Sequence, residues 1–266
     1  MSESSNTSHS PQQPPGSPKS ASKLVLPKGL QALFLDAGNT ILSLDFEFLS
    51  QILLQAGLAE SGAKLDASSL ARAEAAARVN VTEYLEGGHS TEADGTLPIY
   101  LQAMLVHAGA TAAALSLDAL HPLAQQLKEP KTWDALWSQL DPELPGLFRQ
   151  LRERGLRLIV VSNADGTVAR KLANVGLEDA FDAVIDSQLV GVEKPDPAIF
   201  HLALEIAACP AEKALHVGDL PTIDYVGARA AGCHACILDP FGDWGPSKYP
   251  SAPNLKSICQ ALLTSD

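Results

Sequence analysis

Four separate segments of the chain carry polar or ionisable side chains next to apolar runs. Asp36 follows ALFL, Ser162 and Asn163 follow LRLIVV, Asp219 follows ALHVG, and Lys194 lies in the loop GVEKPDPAIF. Ligands of open parallel α/β sheets bind beyond the carboxyl ends of the strands, so we expect these side chains to share one rim. In general, an aspartate can attack a phosphoryl group, and a second carboxylate can help to hold the Mg²⁺ that neutralises its oxygens.

Each of these residues also has an ordinary structural explanation when it is taken alone. Asp36 could form a turn, and Ser162 with Asn163 could cap the next helix. Lys194 alone would be a solvated surface amine, and Asp224, in GDLPTID, suits the first turn of a helix. The functional interpretation therefore depends on the ordered set and not on any one member.

The pattern of apolar runs predicts the elements that position this set. Short buried strands are expected at ALFLD, LRLIVVSN, DAVIDS, ALHVGD and HACILD, and helical periodicity follows between them, as in 142–154 and 197–208. Alternating strands and helices of this kind predict an α/β fold with a Rossmann-like parallel sheet core.

About a hundred residues separate the first predicted strand from the second, which is far longer than an ordinary crossover. This interval instead contains four amphipathic stretches, near 46–56, 68–85, 97–108 and 116–127. We therefore predict an inserted all-helical cap domain over 43–139, with 28–42 and 140–266 forming the core. The Ser-, Pro- and Gln-rich residues 1–27 are predicted to be a disordered tail.

Composition excludes several classes of partner. Of the 266 residues 46% are hydrophobic, which suits a globular core, and the formal net charge of −12 disfavours nucleic acid and anionic membrane surfaces. We predict no membrane span and no secretion signal, and hence a cytoplasmic protein with reduced cysteines. The CHAC segment is predicted to be a buried strand rather than a metal or redox pair.

The motifs LFLDAGNT, VVSN, GVEKPDP and GDLPTID, in this order, resemble those of the haloacid dehalogenase superfamily of aspartyl hydrolases. The resemblance covers about residues 31–240. The overall pattern is most similar to a branch of the superfamily that has a helical cap after the first motif. It implies a Mg²⁺-dependent phosphohydrolase that acts on a small phosphorylated metabolite through an aspartyl phosphate.

The resemblance also assigns roles to the site residues. Asp36 is the nucleophile, and Asp219 holds Mg²⁺ with Asp36 and the carbonyl of Gly38. Asp224 contacts the ion through water or orients Asp219. The transferring group is gripped by the side chains of Ser162, Asn163 and Lys194.

Gly38 departs from the pattern of most phosphatases in this superfamily, which have a second aspartate there as general acid and base. Such help is worth about 10² to 10⁴ in rate. A phosphohydrolase without it would act on a substrate with a good leaving group, or would take the proton from the substrate or the cap, and acyl or aryl phosphates would then be favoured. The alternatives are a dehalogenase, a phosphonate-cleaving enzyme with Lys64 as its cap lysine, or a phosphate- or protein-binding module without turnover.

Several further residues are singled out by the sequence. His216 is expected to be structural because it faces away from Val217 on its strand. The three tryptophans, Trp133, Trp137 and Trp244, are expected to contribute to packing. Substrate choice is expected to depend on cap side chains, for which Arg72, Arg78 and Tyr84 are candidates. The sequence leaves the substrate and the oligomeric state open.

Overall fold

The computed structural model describes residues 26–111, 115–245 and 248–264. Except for its last two positions, the predicted tail over 1–27 lies outside these residues. Within the described ranges, no helix has both the length and the apolar character that a membrane span requires.

The described chain forms a six-stranded parallel sheet with the order β3-β2-β1-β4-β5-β6. All five predicted strands are present, and the α/β prediction is confirmed. The sixth strand was not predicted because it is only two residues long. The strands are β1 (Ala32–Leu35), β2 (Arg157–Ser162), β3 (Ala183–Asp186), β4 (Ala214–Gly218), β5 (His234–Leu238) and β6 (Ser251–Ala252).

The central strand β1 is buried on both faces of the sheet. Leu33 and Leu35 join one hydrophobic cluster, which includes Phe148, whereas Phe34 joins a second cluster on the other face, which includes Phe200. Successive side chains of a strand point to opposite faces, so the continuous apolar run of β1 supplies both layers of the core. Asp36 is then the first polar side chain after this buried strand.

Helices cover both faces of the sheet. Asp196 caps one of them, with Pro197 as its first residue, and the helix predicted over 197–208 is observed at Pro197–Ala207. The core helices are α6 (Leu144–Glu153), α7 (Val168–Asn174), α8 (Ser187–Val190), α9 (Pro197–Ala207), α10 (Val226–Ala230) and α11 (Leu255–Thr264).

Within the described residues, five α-helices lie between β1 and α6 and enclose a hydrophobic cluster of their own, which includes the deeply buried Leu53, Leu70, Leu101 and Met104. The four predicted amphipathic stretches are all helical, and the short α5 was not predicted. The five are α1 (Phe46–Gln55), α2 (Ala67–Glu86), α3 (Thr96–His107), α4 (Leu117–Leu127) and α5 (Pro130–Leu136).

The chain leaves and re-enters the sheet layer at one place. Ser43 and Gln139 exchange backbone hydrogen bonds of 2.9 and 3.2 Å in a short antiparallel bridge, and the amide of Asp45 donates to the carbonyl of Leu136 at 2.8 Å. This bridge and the separate hydrophobic cluster support our proposal that 43–139 is a cap domain.

Candidate functional site

The nucleophile candidate Asp36 lies at the carboxyl end of β1. Its amide donates to the carbonyl of Val217 at 2.9 Å, which ties it to the end of β4, and its side chain is buried. Lys194 Nζ donates to Asp36 Oδ1 at 2.6 Å. Burial raises the pKa of Asp36 above its ordinary value, although the charge of Lys194 opposes this shift.

Lys194 joins two carboxylates in the interior of the protein. Its Nζ, which is fully buried, donates to Asp36 at 2.6 Å and to Asp224 Oδ1 at 2.8 Å. Burial alone would lower the pKa of Lys194, but the two carboxylates outweigh it and hold this pKa above its ordinary value. The amine therefore remains protonated and supplies a fixed positive charge beside Asp36.

Asp224 is held by four hydrogen bonds. Its Oδ1 accepts from Lys194 and His216, each at 2.8 Å, and its Oδ2 accepts from the amides of Asp219 and Leu220 at 3.1 and 3.0 Å. Burial raises the pKa of Asp224, but Lys194 and His216 outweigh it and hold this pKa well below the ordinary value. The four bonds use the acceptor sites of both oxygens, which favours an orienting role over direct metal binding.

The glycine of the GD turn makes this arrangement possible. A Cβ atom built on Gly218 would lie only 2.1 Å from Cγ of Asp224. Any larger residue would push Asp224 away from the amide of Asp219, so the glycine is required for close approach rather than for its backbone dihedral angles.

His216 is the contact that the sequence did not reveal. It is fully buried, it faces the second hydrophobic cluster beside the ring of Phe200, and its Nε2 lies 2.8 Å from Asp224. The expectation that it faces away from Val217 agrees with this position. The structure adds that His216 helps to hold Asp224 in place.

Asp219, at the end of β4, faces Arg78 of the cap helix α2. Arg78 Nε lies 3.5 Å from Asp219 Oδ2, and both side chains are buried. Burial raises the pKa of Asp219 to about 8, with Arg78 opposing and Asp36 adding to the shift. Oxygen atoms of Asp36, Asp219 and Asp224 all lie within 4.8 Å of one another. Buried carboxylates this close together are a donor set that suits a hard divalent cation.

Ser162 and Asn163 end β2 at the same rim. The Asn163 side chain accepts from the amide of Lys194 at 2.7 Å and donates to its carbonyl at 2.8 Å. It also donates to Thr91 Oγ1 at 3.1 Å. Asn163 thus holds the backbone of Lys194, and its contact with substrate stays a prediction. Ser162 is buried and lines the cavity described below.

The cap contributes a buried polar network that the sequence did not indicate as a unit. Glu74 of α2 accepts from Arg78 at 2.6 and 2.8 Å, from Tyr100 Oη at 2.5 Å and from Asn39 Nδ2 at 2.9 Å. Asn39 has a left-handed backbone, with φ of 53°. Burial and the neighbouring Glu74 raise the pKa of Tyr100 well above its ordinary value. The network connects the loop after Asp36 with the cap.

The cap candidates separate into two groups. Arg78 lines the cavity, whereas Arg72 pairs with Asp243 at 2.7 Å on the surface and Tyr84 stacks on His89 at 4.0 Å. Lys64 is exposed and is not among the described residues that line the cavity. Its position gives no support to a phosphonate-cleaving enzyme that uses this lysine.

A cavity of about 440 Å³ lies between the rim and the cap. Trp133 and Trp137 pack, as predicted, against the hydrophobic cluster enclosed by α1–α5, called here the cap cluster. Both also line this cavity, which the sequence did not predict. The remaining apolar residues of its lining are Ala37, Leu42, Val81, Leu97, Ala164, Val168, Leu220 and Ile223.

Cys233 immediately precedes β5, which begins at His234 and contains Cys236. Both cysteines are buried free thiols. Burial raises the pKa of each to about 12, so neither is a reactive thiolate. The prediction of a buried strand at this position is confirmed.

Comparisons with known proteins identify the family of the chain. A family model described as haloacid dehalogenase-like hydrolase matches residues 30–232. The chain is 39% identical over 151 residues to the haloacid dehalogenase-like hydrolase domain-containing protein 3 of Bos taurus, covering 54% of this chain and 60% of that protein. It is 40% identical over 101 residues to phosphoserine phosphatase of Thermus thermophilus, covering 38% of this chain and 41% of that protein.

Among solved structures, the fold is similar to that of YfnB from Bacillus subtilis, which is assigned as a HAD-hydrolase and was crystallised with magnesium. The TM-score is 0.60 at 22% identity, over 88% of this chain and 99% of that one. The match to the first curated relative spans only about three fifths of its length. The matched model nevertheless covers most of the chain, which therefore belongs to the family of haloacid dehalogenase-like hydrolases.

Proposed function

We propose that this hydrolase is a Mg²⁺-dependent phosphohydrolase that acts on a small phosphorylated metabolite through an aspartyl phosphate on Asp36. The observation that carries the proposal is the cluster of Asp36, Asp219 and Asp224, two of which, Asp36 and Asp224, bind the buried amine of Lys194. A nucleophilic carboxylate needs such a setting because a phosphate dianion and free carboxylates repel one another.

The metal site of the proposal consists of Asp36, Asp219 and the carbonyl of Gly38. Asp224 accepts a hydrogen bond from the amide of Asp219 and so orients that residue, or it reaches the ion through water. The three buried carboxylates fit a divalent cation because they offer hard oxygen ligands that lie within 4.8 Å of one another. Mg²⁺ held by these residues would neutralise charge on the phosphoryl oxygens and polarise the phosphorus.

The residues of the chain carry the two steps. A carboxylate oxygen of Asp36 forms a bond to phosphorus while the bond to the leaving oxygen breaks, and that oxygen departs with the electron pair. Lys194 and the hydroxyl of Ser162 offset the charge on the transferring group. Water then attacks the phosphorus of the aspartyl phosphate, which regenerates Asp36 and releases inorganic phosphate.

Gly38 brings no proton donor to the leaving oxygen, so the proton comes from the solvent, the substrate or the cap. The proposed partner is a small phosphorylated molecule enclosed by the cap over 43–139. The cytoplasmic location stays a prediction.

The test is hydrolysis of p-nitrophenyl phosphate and acetyl phosphate with Mg²⁺ and with a chelator in its place. We expect turnover only with Mg²⁺, and a loss of at least about 10³ in rate for Asp36→Asn. Asp118→Asn, an exposed position on α4, is the matched control and keeps the full rate.

Two other outcomes would replace the proposal. Chloride release from 2-chloropropionate without metal would indicate a dehalogenase. Mg²⁺-linked binding of phosphate with no turnover of any phosphate ester would indicate a binding module.

A further inference from the structure

The indole ring of Trp137 stands directly beside Gly38. A Cβ atom built on Gly38 would lie 3.4 Å from both Cη2 and Cζ3 of this ring. The backbone of Gly38 is outside the left-handed region, so no dihedral strain requires a glycine here. The absence of a side chain at this position instead leaves the face of the nucleophile loop open to an aromatic ring.

Trp133, one helical turn earlier, extends this aromatic surface. The two indole rings meet edge to face with their centroids 5.8 Å apart, and both line the cavity. Leu42, Leu97 and Val168 belong to the same lining. The cavity therefore pairs a charged rim at Asp36 with an aromatic surface beside Gly38, and Lys171 Nζ borders this surface at 5.6 Å from the centroid of the Trp133 ring.

The chemistry of the leaving group agrees with this aromatic surface. Because Gly38 offers no proton donor, a leaving oxygen that is stable as an anion is favoured. A phenol has a pKa of about 10, whereas water has a pKa of about 15.7 and alkyl alcohols are similarly weak acids. An aryl oxide is thus a far better leaving group than an alkoxide, and its ring is flat and apolar.

We propose that the cavity selects phosphate monoesters of aromatic alcohols, with the ring against Trp137 and Trp133 and the phosphate at the rim of Asp36. The inference rests on the proposed function and names its substrate class. The carboxylate of Asp36 bonds to phosphorus, the bond from phosphorus to the aryl oxygen breaks, and the aryl oxide takes a proton from the solvent. A small acyl phosphate would share the good leaving group but would leave the aromatic surface uncovered.

The test separates recognition from turnover. Phenyl phosphate and cyclohexyl phosphate have the same charge and nearly the same size, but only the first has a flat aromatic ring. Their dissociation constants are measured by titration calorimetry in the presence of Mg²⁺. The protein is the Asp36→Asn variant of the full chain, which lacks the proposed nucleophile. We expect phenyl phosphate to bind about threefold to tenfold more tightly, the range typical of a favourable aromatic pair.

Two variants assign this preference to the ring. Trp137→Leu, added to Asp36→Asn, abolishes the preference for phenyl phosphate, whereas Trp137→Phe, which keeps an aromatic ring, retains it. The Phe variant also keeps the test valid if the Leu variant does not fold, because a preference lost in Trp137→Phe would contradict ring stacking.

Equal affinities for the two esters, or an equal loss for both in Trp137→Leu, would overturn the inference. Failure of phenyl phosphate to bind would overturn it as well. The proposed function fails by a different result, which is the absence of Mg²⁺-dependent turnover of any phosphate by the wild-type protein.

Discussion

The two sides of the cavity are built in different ways. On the sheet side, Asp36, Lys194 and Asp224 are joined by short hydrogen bonds, and His216 and the GD turn hold Asp224 from behind. On the side of Gly38, Trp133 and Trp137 are positioned by packing against the cap cluster. The sheet side is thus a network of hydrogen-bonded charged groups, and the side of Gly38 presents two indole rings.

This difference separates the reaction from its specificity. The buried charges on the sheet side would act on any phosphoryl group, since none of them reaches far from Asp36. The side of Gly38 contacts whatever the phosphoryl group leaves behind, so it determines which ester fits. Substitutions on each side should therefore affect either the reaction or the choice of substrate.

The largest effect is expected from Lys194→Met, which leaves Asp36 and Asp224 buried without their shared cation. Removing one partner of a buried charge pair costs about 3–5 kcal/mol, and the free energy of unfolding should fall by this amount. Denaturant unfolding of the metal-free protein measures it. Activity should be lost in the same variant because the phosphoryl group loses a fixed positive charge.

Lys171→Met is the matched control at a second buried lysine of the cavity lining. Lys171 is also buried and lines the cavity, but its Nζ binds Thr167 Oγ1 at 2.7 Å and faces Asp165 at 3.5 Å, whose side chain is 43% exposed. Burial lowers the pKa of Lys171, so its removal should cost about 1 kcal/mol or less. Equal losses for the two lysines would contradict the electrostatic account of the rim.

Gly38→Asp should raise turnover of alkyl phosphates, because it adds a general acid beside the leaving oxygen. The gain should be about tenfold, below the usual 10² to 10⁴, because the new side chain meets Trp137 at 3.4 Å. The double variant Gly38→Asp with Trp137→Ala should gain more. Steady-state rates with an alkyl phosphate, corrected for the folded fraction, measure both.

An unchanged or lower rate in both variants would show that something else already transfers the proton. Turnover of aryl phosphates is the internal comparison, since a phenol gains little from a general acid. It should change less than turnover of alkyl phosphates in the single variant.

The smallest effect is expected from a pair of arginines on α2. Arg78→Gln removes a positive charge 3.5 Å from Asp219 while keeping hydrogen-bond donors, so Mg²⁺ should bind about fivefold more tightly. Arg72→Gln, at an exposed ion pair with Asp243, should leave Mg²⁺ affinity unchanged. Calorimetric titration with Mg²⁺ distinguishes them, and weaker binding by the Arg78 variant would contradict this prediction.

The sheet side was predictable because apolar runs mark strands and parallel strands bring their carboxyl ends together. This rule alone predicts that Asp36, Ser162 and Asp219 lie at the rim. The position of Lys194 beside them could be predicted only from the ordered motifs. The structure brings these residues to one rim, while their catalytic roles stay predictions. The four amphipathic stretches were equally legible because each runs for at least ten residues.

The contacts of the cap side could not be read in the same way. Helical periodicity shows which face of α2 or α5 is buried but not what that face touches. The approach of Trp137 to Gly38 depends on how five cap helices pack over the loop. The spacing of Glu74 and Arg78, four residues apart on one helix, was a signal for their pair. Nothing local indicated that Asn39 and Asp219 would complete it.

The most direct test of the account is a search for the covalent intermediate. Wild-type protein is mixed with p-nitrophenyl phosphate carrying a radiolabelled phosphoryl group, quenched in acid and digested. We predict label on the peptide that contains Asp36, dependent on Mg²⁺, released by hydroxylamine and absent from Asp36→Asn. Rapid Mg²⁺-dependent hydrolysis with label on another residue would contradict Asp36 as the nucleophile.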